Sequence, residues 1–290
     1  MSTTWLSAHI FWAGPLDELL RGCVAPVVAY ASRHRLATRF FFIRYAEGGP
    51  HVRLRLSVAS AEAQQELTAY LLAQVADFQI KRQIKEAEAA PVRVSFVPYE
   101  PETARYGGPA GLPLAEAFFE ASSRAVLRWL STPAVVPDAS RLPTAVLLHT
   151  LFVGACLPPA LTTEWLGRYT DDWLPHDPQA GLARSAEQAA WRALFAGHYQ
   201  RQRPALRELV QPCWPATAPA QPLLPRWLAS FRAAARRAAQ SYQRAVPDPA
   251  RRQAIYASLL HMTNNRLGVP NHDEAFVAYL LGAAIQDLML

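Results

Sequence analysis

The pattern of hydrophobic and polar positions changes character about a third of the way along the chain. Residues 4–12 (TWLSAHIFW) form an apolar, aromatic run closed by Gly14-Pro15, which predicts a strand. Leu16, Leu19, Leu20, Cys23, Val24, Val27 and Val28 then recur at three- and four-residue steps, with Asp17 and Glu18 in the first turn. That is the spacing of one buried helix face, and acids are favoured at its N-terminus. Pro26 inside it predicts a kink or a restart. Residues 39–45 (RFFFIRY) and 51–58 (HVRLRLSV) are strand-like and joined by Ala46-Glu47-Gly48-Gly49-Pro50, a hairpin by its glycines. Ser60 and Glu62 open a helix to about residue 88, and residues 92–97 (VRVSFV) alternate as a last strand. The order β-α-β-β-α-β is the ferredoxin-like, split βαβ arrangement.

From residue 114 onward the periodicity is helical: 114–130, 142–157, 162–173, 184–210, 223–244, 248–264 and 273–289, with Pro and Gly at the breaks. Residues 212–225 are proline-rich and predict a loop. The fold class read from this pattern is α+β, an N-terminal ferredoxin-like sheet (residues 1–98) followed by a mainly helical part (residues 99–290). No repeat and no clean linker separates them, so they read as one functional unit.

Composition narrows the class. With 290 residues, 51% hydrophobic and 18% charged, the chain is globular and long enough to bury a core without staples. Cys23, Cys156 and Cys213 are widely spaced and form no CxxC pair, which supports neither a disulfide framework nor a zinc ribbon and favours a reducing cytoplasm. The N-terminus lacks a basic n-region. The longest apolar run, residues 145–157, contains His149 and is short for a bilayer, so no membrane is expected. The formal charge is +6, and lysine occurs only at Lys81 and Lys85, so nearly all of the 29 basic residues are arginine. Arginine-rich coding accounts for the excess as a whole, yet a few of these planar forks can grip carboxylates or phosphates two-pronged.

The strand at residues 51–58 says where to look. Side chains alternate along a strand, so Val52, Leu54, Leu56 and Val58 face a core while His51, Arg53, Arg55 and Ser57 face away. Arg53 and Arg55 then lie roughly 6.5–7 Å apart on one face, near enough to share one small carboxylate-bearing ligand. A solvated face whose arginines aid solubility is the competing reading. Residues 99–108 (YEPETARYGG) form an irregular loop leaving the last strand, with Arg105 and Glu102 either presented for function or paired with each other. Near the C-terminus, in LLHMTNNRLGVPNHDE, Ile255, Leu259 and Met262 make an apolar helix face, and Gly268 and Pro270 stand where a helix ends. His261 falls in its last turns, as a satisfied core or capping residue or as a general acid/base.

Other signatures are missing. There is no HExxH, GxSxG, glycine-rich phosphate loop or dinucleotide fingerprint, and Asp171-Asp172 has no second acidic pair nearby to make a metal site. The hairpin strands lack the aromatic-and-glycine pattern of an RNA-binding sheet. Arg232, Arg236, Arg237, Arg251 and Arg252 read as a solvated helix surface rather than a nucleic-acid patch.

Three segments, RFFFIRYAEGGPHVRLRL, YEPETARYGG and LLHMTNNRLG, together resemble in order and separation the elimination region of class I lantibiotic dehydratases and the stand-alone thiopeptide-type bacteriocin biosynthesis proteins. The resemblance runs from Trp5 to near the C-terminus. It implies removal of glutamate from glutamylated serine or threonine of a precursor peptide, leaving dehydroalanine or dehydrobutyrine. Carried over, the family's glutamate-binding arginines match Arg53, Arg55 and Arg105, and its C-terminal histidine matches His261. Arg44, Tyr45, His51, Tyr106 and Arg266 become supporting residues, with His51 a second candidate base. The resemblance implies no metal or organic cofactor. It implies a separate tRNA-dependent glutamyl transferase as partner, the glutamylated peptide as substrate, no direct contact with nucleic acid, and an association into homodimers. The alternatives it leaves open are a relative that builds the pyridine of thiopeptides by a formal [4+2] cycloaddition, and a non-catalytic module that binds a leader peptide or a partner.

Overall fold

The computed structural model describes residues 4–82, 91–133, 136–176, 183–217 and 224–290. It divides into two compact units, residues 1–135 and 136–290. The division falls after the 98/99 change from sheet to helix because the first long helix of the helical part packs on the sheet.

In the first unit, β1 (Trp5–Phe11), β2 (Ala37–Tyr45), β3 (His51–Val58) and β4 (Arg93–Phe96) form one antiparallel sheet in the order β2-β3-β1-β4. This is the split βαβ order expected from the sequence. Between β1 and β2 the chain runs through α1 (Leu16–Leu19), a π-helical turn at Leu20–Val24 and α2 (Ala25–Arg33) without leaving the helix. The disturbance expected from Pro26 is thus a single wide turn just before it, where the proline's missing N–H and its ring are accommodated. α3 (Ala61–Lys81) follows β3, its N-terminus capped by the Ser60 hydroxyl, which accepts from the Ala63 N–H. Residues 83–90, where that helix was expected to end, lie outside the described residues.

Alternation along the strands sets two faces. Leu6, Ala8, Ile10, Phe40, Phe42, Val52, Leu54 and Leu56 are buried and, with Val27 and Val28 of α2 and Leu67 and Leu71 of α3, form the core. α4 (Gly108–Leu130) starts from Gly107, whose φ of 92° suits glycine, and lies along β2 at the sheet edge. There the Ser123 hydroxyl accepts from the Phe42 backbone N–H at 3.2 Å, so a donor on an edge strand is satisfied by a helix.

The second unit is helical: α5 (Pro137–Cys156), α6 (Pro159–Trp173), α7 (Arg184–Val210), α8 (Arg226–Ala245), α9 (Pro249–Leu267) and α10 (Asn271–Met289). α10 packs on α5, α6 and α7, and α5 packs on α8 and α9. Gly268 ends α9 at φ 83°, where the sequence placed a C-cap. Among the described residues α5 alone is long and apolar enough to cross a membrane by length and composition, and 56% of its most apolar window is buried within the protein. Its His149 is fully buried and hydrogen-bonded to α9, as befits a core helix. All three cysteines are free and buried.

Candidate functional site

The sheet face away from the core carries the arginines. Residues directly opposite one another point the same way. Arg53 lies between His9 of β1 and Ile43 of β2, Arg55 between Ser7 and Phe41, and His51 between Phe11 and Tyr45. Arg53 and Arg55 therefore occupy the middle of the sheet among aromatic rings and imidazoles. The Arg53 guanidinium stacks 3.5 Å from the centre of the Tyr45 ring. That of Arg55 lies 4.7 Å from the Tyr99 ring and 5.5 Å from the Phe41 ring. Neither has a carboxylate within 4.0 Å among the described residues, and the Arg55 Nε is buried with no hydrogen-bond partner. Burial holds Arg55 below the ordinary guanidinium value, and the charge of Arg53 pushes the same way. Two uncompensated cations sharing a half-buried face favour an anion between them.

His51 organises Arg53. Its Nδ1 lies 2.8 Å from the Gly49 carbonyl oxygen and its Nε2 3.1 Å from the Arg53 Nε. Both bonds form together only in the neutral tautomer that carries its proton on Nδ1. Burial, with the charges of Arg53 and Arg93, lowers its pKa against the raising effect of the Gly49 bond. With both ring nitrogens engaged, His51 orients a guanidinium and has no free lone pair for the substrate.

His9 is the residue that sequence reasoning missed. It is part-exposed, stacks on His51 at 5.3 Å and faces both arginines. Burial and the charges of Arg53, His51 and Arg55 hold its pKa down to about 4. It is a neutral imidazole beside the cations, and only the register of β1 on β3 brings it there.

The loop after β4 reaches the same face. Tyr99 packs between Trp5 and Phe41 and donates its hydroxyl to Glu116 at 3.1 Å. Arg105 bonds Glu102 at 2.9 Å, the pairing the sequence allowed, and the Glu102 charge is felt at Arg55. Other predicted residues lie elsewhere. Tyr106 is buried edge-on against Phe119. Arg44 alternates onto the core face of β2, opposite Val52, and pairs with Asp17. The sheet does not bring it to Arg53 and Arg55.

His261 belongs to the second unit, and there it is the visible end of a buried polar chain. Its Nδ1 lies 2.7 Å from the Oε1 of Glu274, which is completely buried at the start of α10. The Glu274 Oε2 accepts from the Tyr169 hydroxyl at 2.6 Å and the Asn264 Nδ2 at 3.0 Å. Asn264 Oδ1 then accepts from the Nε2–H of His149 at 2.7 Å. The His261 ring stacks on Trp173 at 4.4 Å with 17° between planes. Arg266 is fully buried and donates to the Met262 carbonyl at 2.7 Å. Among the described residues no group of three or more His, Cys, Asp or Glu could hold a metal ion.

A family model of the C-terminal region of lantibiotic biosynthesis dehydratases matches residues 5–285, and the chain belongs to that family of enzymes of ribosomal-peptide antibiotic biosynthesis. Among solved structures it is similar to the tRNA-dependent lantibiotic dehydratase MibB from Microbispora sp. 107891, at 24% identity and a TM-score of 0.62, covering 100% of this chain and 29% of that one. It is similar also to the pyridine synthase TbtD from thiomuracin biosynthesis, at 19% identity and a TM-score of 0.64, covering 98% of each chain. A third likeness is TsrL, at 18% identity and a TM-score of 0.62, covering 99% of this chain and 95% of that one. At these identities the likenesses establish the shared fold. No curated protein matches the chain.

Proposed function

We propose that the protein is a lyase that eliminates glutamate from glutamylated serine or threonine of a precursor peptide. The observation that carries this reading is the pair Arg53 and Arg55, set mid-sheet with no carboxylate partner among the described residues. A glutamyl ester has one free carboxylate and acquires a second as its ester C–O bond breaks, so two fixed guanidiniums match the charge that develops. In the reaction a base removes the α proton of the esterified residue, the freed electron pair forms the Cα=Cβ bond, and glutamate departs from Cβ with the ester oxygen. Arg53, Arg55 and Arg105 hold the adduct, His51 and Tyr45 hold Arg53, and His261 acts in proton transfer or polarises the peptide carbonyl. No metal or organic cofactor enters these steps. A tRNA-dependent glutamyl transferase supplies the ester, and residues 1–98 and 99–290 act as one unit. Three free, buried cysteines suit a cytoplasmic setting.

The test is incubation with a glutamylated peptide followed by mass spectrometry. The protein should release free glutamate, and Arg55→Ala should leave the adduct intact; unchanged release by that variant overturns the clamp. A second reading, pyridine formation by cycloaddition, draws on the near end-to-end match in length with TbtD. It predicts release of water and a leader peptide instead of glutamate.

A further inference from the structure

We infer that Glu274 is the positioning residue for His261, holding its proton on Nδ1 so that Nε2 presents a lone pair, and compensating the charge when Nε2 is protonated. The inference rests on the role given to His261 above. Its basis is the direction of every hydrogen bond around one carboxylate. Tyr169 donates to Glu274 Oε2, and the Asn264 amide nitrogen can only donate to it, because Asn264 Oδ1 is turned to the Nε2–H of fully buried His149. A carboxylate at this position accepts from both on Oε2 and keeps Oε1 for His261. The bond at 2.7 Å to His261 then requires the proton to sit on His261 Nδ1.

The arrangement is more than a surface ion pair. Four helices supply its members: His149 from α5, Tyr169 and Trp173 from α6, His261 and Asn264 from α9, and Glu274 from α10. Glu274 is completely shielded, whereas the His261 side chain keeps 17% of its exposure and stacks on Trp173, which fixes the ring plane. His261 Nε2 has no hydrogen bond among the described residues. A buried carboxylate behind a histidine whose far nitrogen is open is the arrangement by which an imidazole is held in one tautomer and its cation stabilised. The groups that face this pair are Tyr169 and, through Asn264, His149; Asp172 lies near enough to Tyr169 to act on it electrostatically.

The full-length protein tests this in two independent ways. Long-range nitrogen–proton NMR should show His261 protonated on Nδ1 at neutral pH, and Glu274→Gln should release that preference. In the glutamylated-peptide assay Glu274→Gln should reduce kcat by about 10²–10⁴-fold with KM little changed. Glu274→Asp, which keeps the charge but withdraws it from His261, should loosen the preference for Nδ1–H in part and serves if Glu274→Gln fails to fold. An Nε2–H tautomer in the unaltered protein, or a tautomer preference unmoved by both substitutions, overturns the inference. If the tautomer is as stated but no glutamate is released, the proposed reaction fails while the role of Glu274 in holding His261 stands.

Discussion

His9 of β1 lies directly across from Arg53 of β3, and burial, together with that guanidinium, keeps its imidazole neutral down to about pH 4. An anion seated between Arg53 and Arg55 offsets their charge, so the His9 pKa rises on binding from about 4, while the effect of burial remains. Just above pH 4 binding then takes up a proton, and affinity increases as the pH falls toward that value. Sulfate is a suitable probe, since its own charge is fixed there. Calorimetry in two buffers of different ionisation heat should show proton uptake for the unaltered protein and none for His9→Gln. Equal uptake by both would remove His9 from the site.

Arg55 offers a sharper test of recognition. Its Nε is buried without a partner among the described residues, and its guanidinium is walled by Tyr99 and Phe41. Arg55→Lys keeps the charge but loses the fork and the ring stacking. Glutamate release should fall by about 10²-fold or more for Arg55→Lys and further for Arg55→Ala, with circular dichroism unchanged. Full activity in the lysine variant would mean that charge alone suffices.

Much of this was legible from period and punctuation. The bounds of β3 follow from strict alternation, which also places Arg53 and Arg55 on one face, and Gly268 marks the end of α9. What stayed hidden depends on pairing between distant segments. His9 sits in a run that reads simply as an apolar strand, and nothing local shows that it meets Arg53. Glu274 looks like an ordinary first-turn acid beside Asp273, yet it is buried because α10 packs on α6 and α9. Arg44 was named a supporting residue on the family resemblance; its parity in β2 puts it opposite Val52, on the core side.

The sheet edge yields a stability prediction. Ser123 of α4 accepts from the Phe42 N–H of β2, and both residues are fully buried. Ser123→Ala leaves that donor unsatisfied away from water, which costs about 1–3 kcal/mol. Urea unfolding should show a lower midpoint with an unchanged slope; a loss under about 0.5 kcal/mol would mean that the edge donor finds another partner.

Acid should weaken the fold through His149. It is completely buried, its Nε2–H is spent on Asn264, and its Nδ1 has no partner among the described residues, so burial lowers its pKa from 6.5 to about 4. The folded state therefore binds fewer protons at this site than the unfolded chain between those values. Stability contributed by the neutral ring is present above about pH 6.5 and is lost as the pH falls toward 4, amounting to about 3 kcal/mol across the window at about 1.4 kcal/mol per unit. His149→Gln can still donate to Asn264 but has no ring to titrate. Denaturation at pH 7 should find this variant less stable than the unaltered protein, because a buried ring has been exchanged for a smaller side chain. At pH 4.5 the gap should narrow or close, since only the histidine protein carries the acid-linked loss. A gap that stays constant between the two pH values would show that His149 is not the group through which acid acts.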